Sequence, residues 1–218
     1  MGFSAALLLA AATAAPSPPD LAPPDLAPPD LAPPDLAPPD LATPDLAQFE
    51  AALAAQDSAT AALRQWCEVR HLAADPAMRA VTVVGNSAPP PADLRRQLAI
   101  PGDTAFAYRH VRLSCGGKVL SEAHNWYVPT RLTPAMNTAL AETDTPFGRV
   151  AAPLGFRRER ITGERGQTDV CPNGTILAHK ALLRLPDGRP LSLVIECYTA
   201  ANLERAPEPA NPDRTERP

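Results

Sequence analysis

The sequence predicts an α+β domain on an antiparallel sheet of about six strands, with flanking helices. Two turn sequences, Gly116-Gly117 and Pro186-Asp187-Gly188-Arg189, each separate a pair of strand-like segments, as hairpins require. Strand-like segments outnumber helical ones, and the helical signals are short and lie between them.

Taken in order, the first element is Leu46 to Trp66. Phe49 and Leu53 are four apart, and Leu63 and Trp66 three apart, so each pair shares a helical face. Asp57-Ser58 interrupts the stretch with good N-cap residues, which leaves one helix or two meeting near Ser58. Val69 to Leu72 and Ala80 to Val84 read as strands, and Ala92 to Leu98 as a short helix after Pro89-Pro90-Pro91. Phe106 to Ser114 and Val119 to Val128 form a hairpin around the glycines, stopped by Pro129. Thr133 to Glu142 is a helix with Thr133 as cap and Pro134 in its first turn. Phe156 to Thr162 is a strand, and Ile176 to Leu185 and Leu191 to Tyr198 are the last hairpin.

The flanks read differently. The chain has 218 residues with a formal net charge of -4. Residues 1–45 hold six Asp and no other charged side chain, so the remainder is close to neutral, which argues against a polyanion or nucleic-acid binder. Residues 1–15 carry an apolar run, Phe3 to Ala14, with Ala12-Thr13-Ala14 as a small-x-small site. That is the pattern of a signal peptide, and an exported protein is the expectation; a disordered Ala-rich start is the alternative. In 16–45 the unit Pro-Pro-Asp-Leu-Ala occurs five times from Pro18. Two prolines in five residues oppose helix and sheet, so the segment reads as an extended spacer. Residues 46–205 are the folded domain, sized for one core, and 206–218 a disordered tail. No apolar run reaches the ~18 residues of a membrane span.

Few residues carry chemistry. There is no phosphate-cradling glycine loop, no nucleophile elbow and no H-E-x-x-H. The four His (His71, His110, His124, His179) are scattered and no Cys pair has zinc spacing, so neither metal nor cofactor is expected. Cys67, Cys115, Cys171 and Cys197 form two disulfides in one of three connectivities, or stay free. Arg109 and Glu196 sit inside apolar strand contexts, Tyr108-Arg109-His110-Val111 and Val194-Ile195-Glu196-Cys197. Each either faces water or lines a pocket, because a lone buried charge is costly. The same holds for Glu122 and Asn125 in Ser121-Glu122-Ala123-His124-Asn125-Trp126.

Several segments, in order, resemble the chorismate pyruvate-lyase family and the ligand-sensing domains that share its fold. They are Gln56-Asp57-Ser58-Ala59-Thr60, the hairpin from Tyr108 to Pro129, Thr145-Pro146-Phe147-Gly148-Arg149, and Gly188-Arg189-Pro190-Leu191 followed by Glu196. The resemblance implies the chorismate lyase-like fold and elimination of pyruvate from chorismate to give 4-hydroxybenzoate, without cofactor. It makes Arg109 the grip on the substrate carboxylate and Glu196 the proton-transfer partner. Phe147 and Gly148 would lie in the loop closing the pocket and Ala59 on a flap helix; Glu122 and Asn125 are further candidates for contact with substrate. The competing reading is a non-catalytic, monomeric, exported module for a small carboxylated, chorismate- or 4-hydroxybenzoate-like ligand. Phe147 replaces the family's Leu and Ala59 its flap Met. The strands carrying Glu122 and Glu196 are each one residue longer after their turns, and a one-residue slip flips every side chain unless a bulge absorbs it.

Overall fold

The computed structural model describes residues 45–85 and 87–204. The apolar N-terminal stretch, the Pro-Pro-Asp-Leu-Ala repeat and the 206–218 tail lie outside the described residues.

Two helices open the domain. Asp45 caps α1 (Leu46–Ala54), its carboxylate accepting from the Gln48 N–H at 2.7 Å, and Ser58 caps α2 (Ala59–Val69). The break at Asp57-Ser58 thus separates two helices. Phe49 and Leu53 of α1 and Leu63 and Trp66 of α2 are all buried in the main core, as their spacing requires. The strand expected at Val69 to Leu72 is absent. There α2 continues to Val69 and ends in a Schellman turn: the Leu72 N–H reaches the Cys67 carbonyl at 3.0 Å and the His71 N–H reaches Glu68 at 3.2 Å. His71, at φ 49, takes the left-handed position that glycine usually fills, so the stop signal was invisible in the sequence. Buried Cys67 and Leu72 hold the turn against the core.

The strands are β1 (Met78–Thr82), β2 (Ala107–Cys115), β3 (Lys118–Tyr127), β4 (Arg157–Arg165), β5 (Thr175–Arg184) and β6 (Pro190–Thr199). They form one antiparallel sheet in the order β1-β2-β3-β6-β5-β4. Short α3 (Leu94–Gln97), capped α4 (Pro134–Glu142) and α5 (Phe147–Val150) fill the connections. Phe147 and Gly148, expected in a loop, open α5. Gly116 and Gly117 both have positive φ, 52 and 89, as a two-residue hairpin turn demands. Gly116 also has no room for a side chain, since a Cβ there would stand 2.2 Å from that of Ala73.

Both extra residues are absorbed by bulges. Ser114 pairs with Val119 but Leu113 pairs with Ser121, which leaves Leu120 unpaired. Arg184 pairs with Pro190 but Leu183 with Ser192, which leaves Leu191 unpaired. Both bulge leucines are fully buried. Beyond them the register puts Arg109 opposite Asn125, and Ala123 opposite Glu196. Arg109, Asn125 and Glu196 therefore share one sheet face, the face that α2 and α5 cover.

All four cysteines pair, Cys67 with Cys115 and Cys171 with Cys197. The first ties α2 to the end of β2; the second ties the β4–β5 connection to β6. Their spans of 48 and 26 residues remove loop entropy from the unfolded chain worth about 3–4 kcal/mol each. Reduction is expected to lower the denaturant midpoint sharply. Urea unfolding with and without reductant, against a Cys171→Ala/Cys197→Ala variant, checks it; equal midpoints would show that the bridges contribute nothing.

Candidate functional site

The covered sheet face encloses a cavity of about 50 Å³. Its polar lining comes from Arg109 and Asn125 on β2 and β3, Glu196 on β6, and Ser58 and Thr60 at the start of α2. Ala59, Phe147 and Gly148 line it too, with Val111, Leu183 and Val194 as apolar floor.

Arg109 is only 8% exposed. It donates to the carbonyls of Thr145 at 3.1 Å and Thr143 at 3.2 Å. No carboxylate among the described residues forms an ion pair with it. Burial lowers its pKa, with Tyr127 and Asp144 opposing. A guanidinium keeps its charge regardless, so the cavity holds a desolvated cation that forms no ion pair among the described residues.

Glu196 is the opposite case. Its Oε2 accepts from Arg158 and, at 2.9 Å, from the Tyr198 hydroxyl. Burial pulls the Arg158 pKa down, but the Glu196 charge outweighs it and the net shift is upward. Burial, then the same carboxylate, raises the Tyr198 phenol well above its ordinary value. Arg158 also donates to His179 Nδ1 at 3.1 Å. Burial and then the Arg158 charge push the His179 imidazole down to about 4. Glu196 is thus an ion-paired carboxylate held from behind by β4 and β5, while its Oε1 forms no hydrogen bond among the described residues.

Asn125 accepts from the Ser192 hydroxyl at 2.6 Å through Oδ1, which leaves its amide N–H groups available. The positive end of α2 adds to the field of Arg109. Arg109 and Arg158 against Glu196 leave one net positive charge at the cavity.

Gly148 is needed for close approach. A Cβ there would stand 2.6 Å from Ser58 Oγ and 2.9 Å from Thr60 Oγ1. This contact seats α5 on the first turn of α2 and closes the cavity.

Glu122 does not belong to this constellation. It is on the opposite sheet face, accepting from Arg112 Nε at 2.9 Å and hydrogen-bonded to His110 Nε2 at 2.8 Å. Burial would raise its pKa, but Arg112 and His110 hold it below the usual value. Adjacent β-strand residues face opposite ways, so Glu122 and Ala123 cannot both look into one cavity. Arg158, Ser58 and Thr60 escaped the sequence reading as site residues. For Arg158 the only signal was an arginine on an edge-strand pattern rich in exposed charge, where a solvated role is the default.

No family model matches the chain. The uncharacterized protein y4mC of Sinorhizobium fredii is 38% identical over 169 residues, 68% of this chain and 71% of that protein. The chain belongs to the same family as y4mC. Among solved structures, PhnF from Mycobacterium smegmatis gives a TM-score of 0.51 at 11% identity, over 69% of this chain and 67% of that one. The separate structure of the effector domain of PhnF gives 0.44 at 12% identity, over 56% of this chain and 81% of that one. The likeness to PhnF shows the fold, which is chorismate lyase-like.

Gly148→Ala is expected to destabilise by about 1–3 kcal/mol, because Ser58 must give up its cap or α5 must lift. Adding Ser58→Gly should recover part of that loss. Melting curves of the single and double variants check it, and additive losses would sink the close-approach argument.

His179 sets a pH dependence. Its folded pKa of about 4 lies below the unfolded 6.5, so its contribution is complete above pH 6.5. It is lost as pH falls from 6.5 to 4, where only the unfolded chain takes up the proton, with a slope of at most about 1.4 kcal/mol per unit. His179→Asn should flatten the stability profile in that window. Urea unfolding across pH is the measurement, and parallel profiles would refute it.

Proposed function

We propose that this domain is a binding module for a small carboxylate, seated against Arg109 and Asn125 in the cavity beneath α2 and α5. The observation that carries the reading is the buried Arg109 guanidinium, which forms no ion pair with a carboxylate among the described residues. A ligand carboxylate supplies that partner through a bidentate, charge-assisted contact. The Asn125 amide and the first turn of α2 add donors, and the apolar floor takes a short carbon chain.

Size favours a short acid over an aromatic one. A water-sized sphere needs about 10–15 Å³. The 50 Å³ cavity therefore suits only a few heavy atoms, whereas a cavity of about 150 Å³ is what takes a benzene ring. An aromatic ligand needs α5 and the start of α2 to move apart.

A second reading is the chorismate lyase activity. What supports it is that Arg109 and Glu196 line one cavity. Against it stands the Arg158 and Tyr198 clamp, which already occupies Oε2 of Glu196. For location we propose an oxidising compartment outside the cytoplasm, with the Pro-Pro-Asp-Leu-Ala segment as spacer. Support comes from the two disulfides and the apolar run at Phe3 to Ala14.

Calorimetry with acetate, pyruvate, 4-hydroxybenzoate and chorismate separates the readings. The short acids are expected to bind. Arg109→Ala is expected to cost about 2–5 kcal/mol of that binding, at least about 30-fold, and Arg109→Lys less. Unchanged affinity in Arg109→Ala, or no binding by any acid, would overturn the proposal. Absorbance of 4-hydroxybenzoate appearing from chorismate would establish the second reading instead.

A further inference from the structure

The opposite sheet face holds a cluster that the carboxylate cavity does not use. His110 and His124 are direct partners across the β2–β3 ladder, and Glu122 is two residues from His124 on the same face. The two imidazoles lie nearly parallel, with centroids 4.1 Å apart. All three residues are buried, at 4%, 4% and 8% exposure. One nitrogen from each His and one Glu122 oxygen lie within 4.8 Å of one another.

From this geometry we propose that His110, Glu122 and His124 bind one divalent transition-metal ion of the zinc class. Two imidazoles and one carboxylate form a donor set of borderline softness that zinc, cobalt and nickel accept. The groups that would orient these ligands are already present. Glu122 receives Arg112 Nε on its other oxygen at 2.9 Å. His124 Nδ1 is 2.8 Å from the Tyr108 hydroxyl, which itself accepts the Ala88 N–H at 3.0 Å. A ligating imidazole requires such an oxygen partner on its second nitrogen.

The proton arrangement points the same way. His124 Nε2 is buried and makes no hydrogen bond among the described residues. The Tyr108 contact fits either imidazole tautomer, and in both Nε2 is left without a hydrogen-bond partner among the described residues, which is costly. With a metal on Nε2, the imidazole proton is on Nδ1 and is donated to Tyr108 Oη, so both nitrogens are satisfied.

The cluster is shielded. Cys197 pairs with Glu122 across β3–β6, and its disulfide to Cys171 holds the connection that carries Val170 beside His124.

The test uses the full chain without a histidine tag, stripped with chelator and titrated with Zn²⁺ and with Co²⁺. The expected result is one equivalent of zinc and visible cobalt bands of a low-coordinate nitrogen and oxygen site, displaced by zinc. His124→Gln and Glu122→Gln should each weaken zinc more than 100-fold. Tyr108→Phe, which removes the hydroxyl partner of His124 Nδ1 but no ligating atom, should weaken it about 10–100-fold. His71→Asn, exposed and remote from the cluster, should change nothing. Absence of a stoichiometric site in the wild type at tens of micromolar zinc would overturn the proposal. So would zinc affinity unchanged in both His124→Gln and Tyr108→Phe, or lost in His71→Asn.

Discussion

The register of the central hairpin is the constraint on which everything else depends. Leu120 is squeezed out of the β2–β3 ladder, and from that point every β3 side chain takes the face its neighbour would otherwise have had. Without the bulge, Arg109 would not stand across from Asn125, nor His110 across from His124. Leu191 does the same for β6 and sets Glu196 toward the cavity. Each bulge residue is a leucine with no exposed surface. Burial of that side chain offsets the ladder bond that the bulge sacrifices.

The two faces handle buried polarity in different ways. On the cavity face, Glu196 is ion-paired with Arg158 and accepts from the Tyr198 hydroxyl, while among the described residues Arg109 donates only to carbonyls. A buried charge that keeps only neutral partners is expensive unless something else uses it, and a binding site is such a use. On the other face, polar side chains stack beside Trp126 and Tyr108, next to an apolar cluster of Leu94, Leu98, Leu182 and Leu193. The sheet is thus a partition between a cationic cavity and an imidazole–carboxylate cluster, each formed from alternate residues of the same strands.

Helix α2 links stability to the site. Its C-terminal half is fastened by the Cys67–Cys115 bridge and the Trp66 indole, which donates to the Asn202 carbonyl at 2.9 Å. Its first turn is left to form the cavity wall, pressed against Gly148. A rigid far end and a wall built from small residues position the Ser58 and Thr60 hydroxyls without filling the space they face.

Local patterns determined what the sequence alone revealed. Asp45, Ser58 and Thr133 as caps, the glycine turn after Cys115 and alternation along β2, β3, β5 and β6 are free energies settled within a few residues. They therefore yielded the α+β class, both long hairpins and the break between α1 and α2. The ordered motifs around Ser58, Arg109, Phe147 and Glu196 lie in segments that line one cavity. The helix end at His71, read as a strand, was lost because a histidine did the work of a glycine. The disulfide pairing, the Arg158 clamp on Glu196 and the facing of Glu122 needed the tertiary structure. Each depends on which residues meet across strands or between elements far apart in the chain. Single-residue bulges in the ladders help decide that, and a bulge is a compromise between ladder bonds and core packing that no local pattern displays. The same reason hid the imidazole pair, whose members are scattered in sequence and become neighbours only through the register.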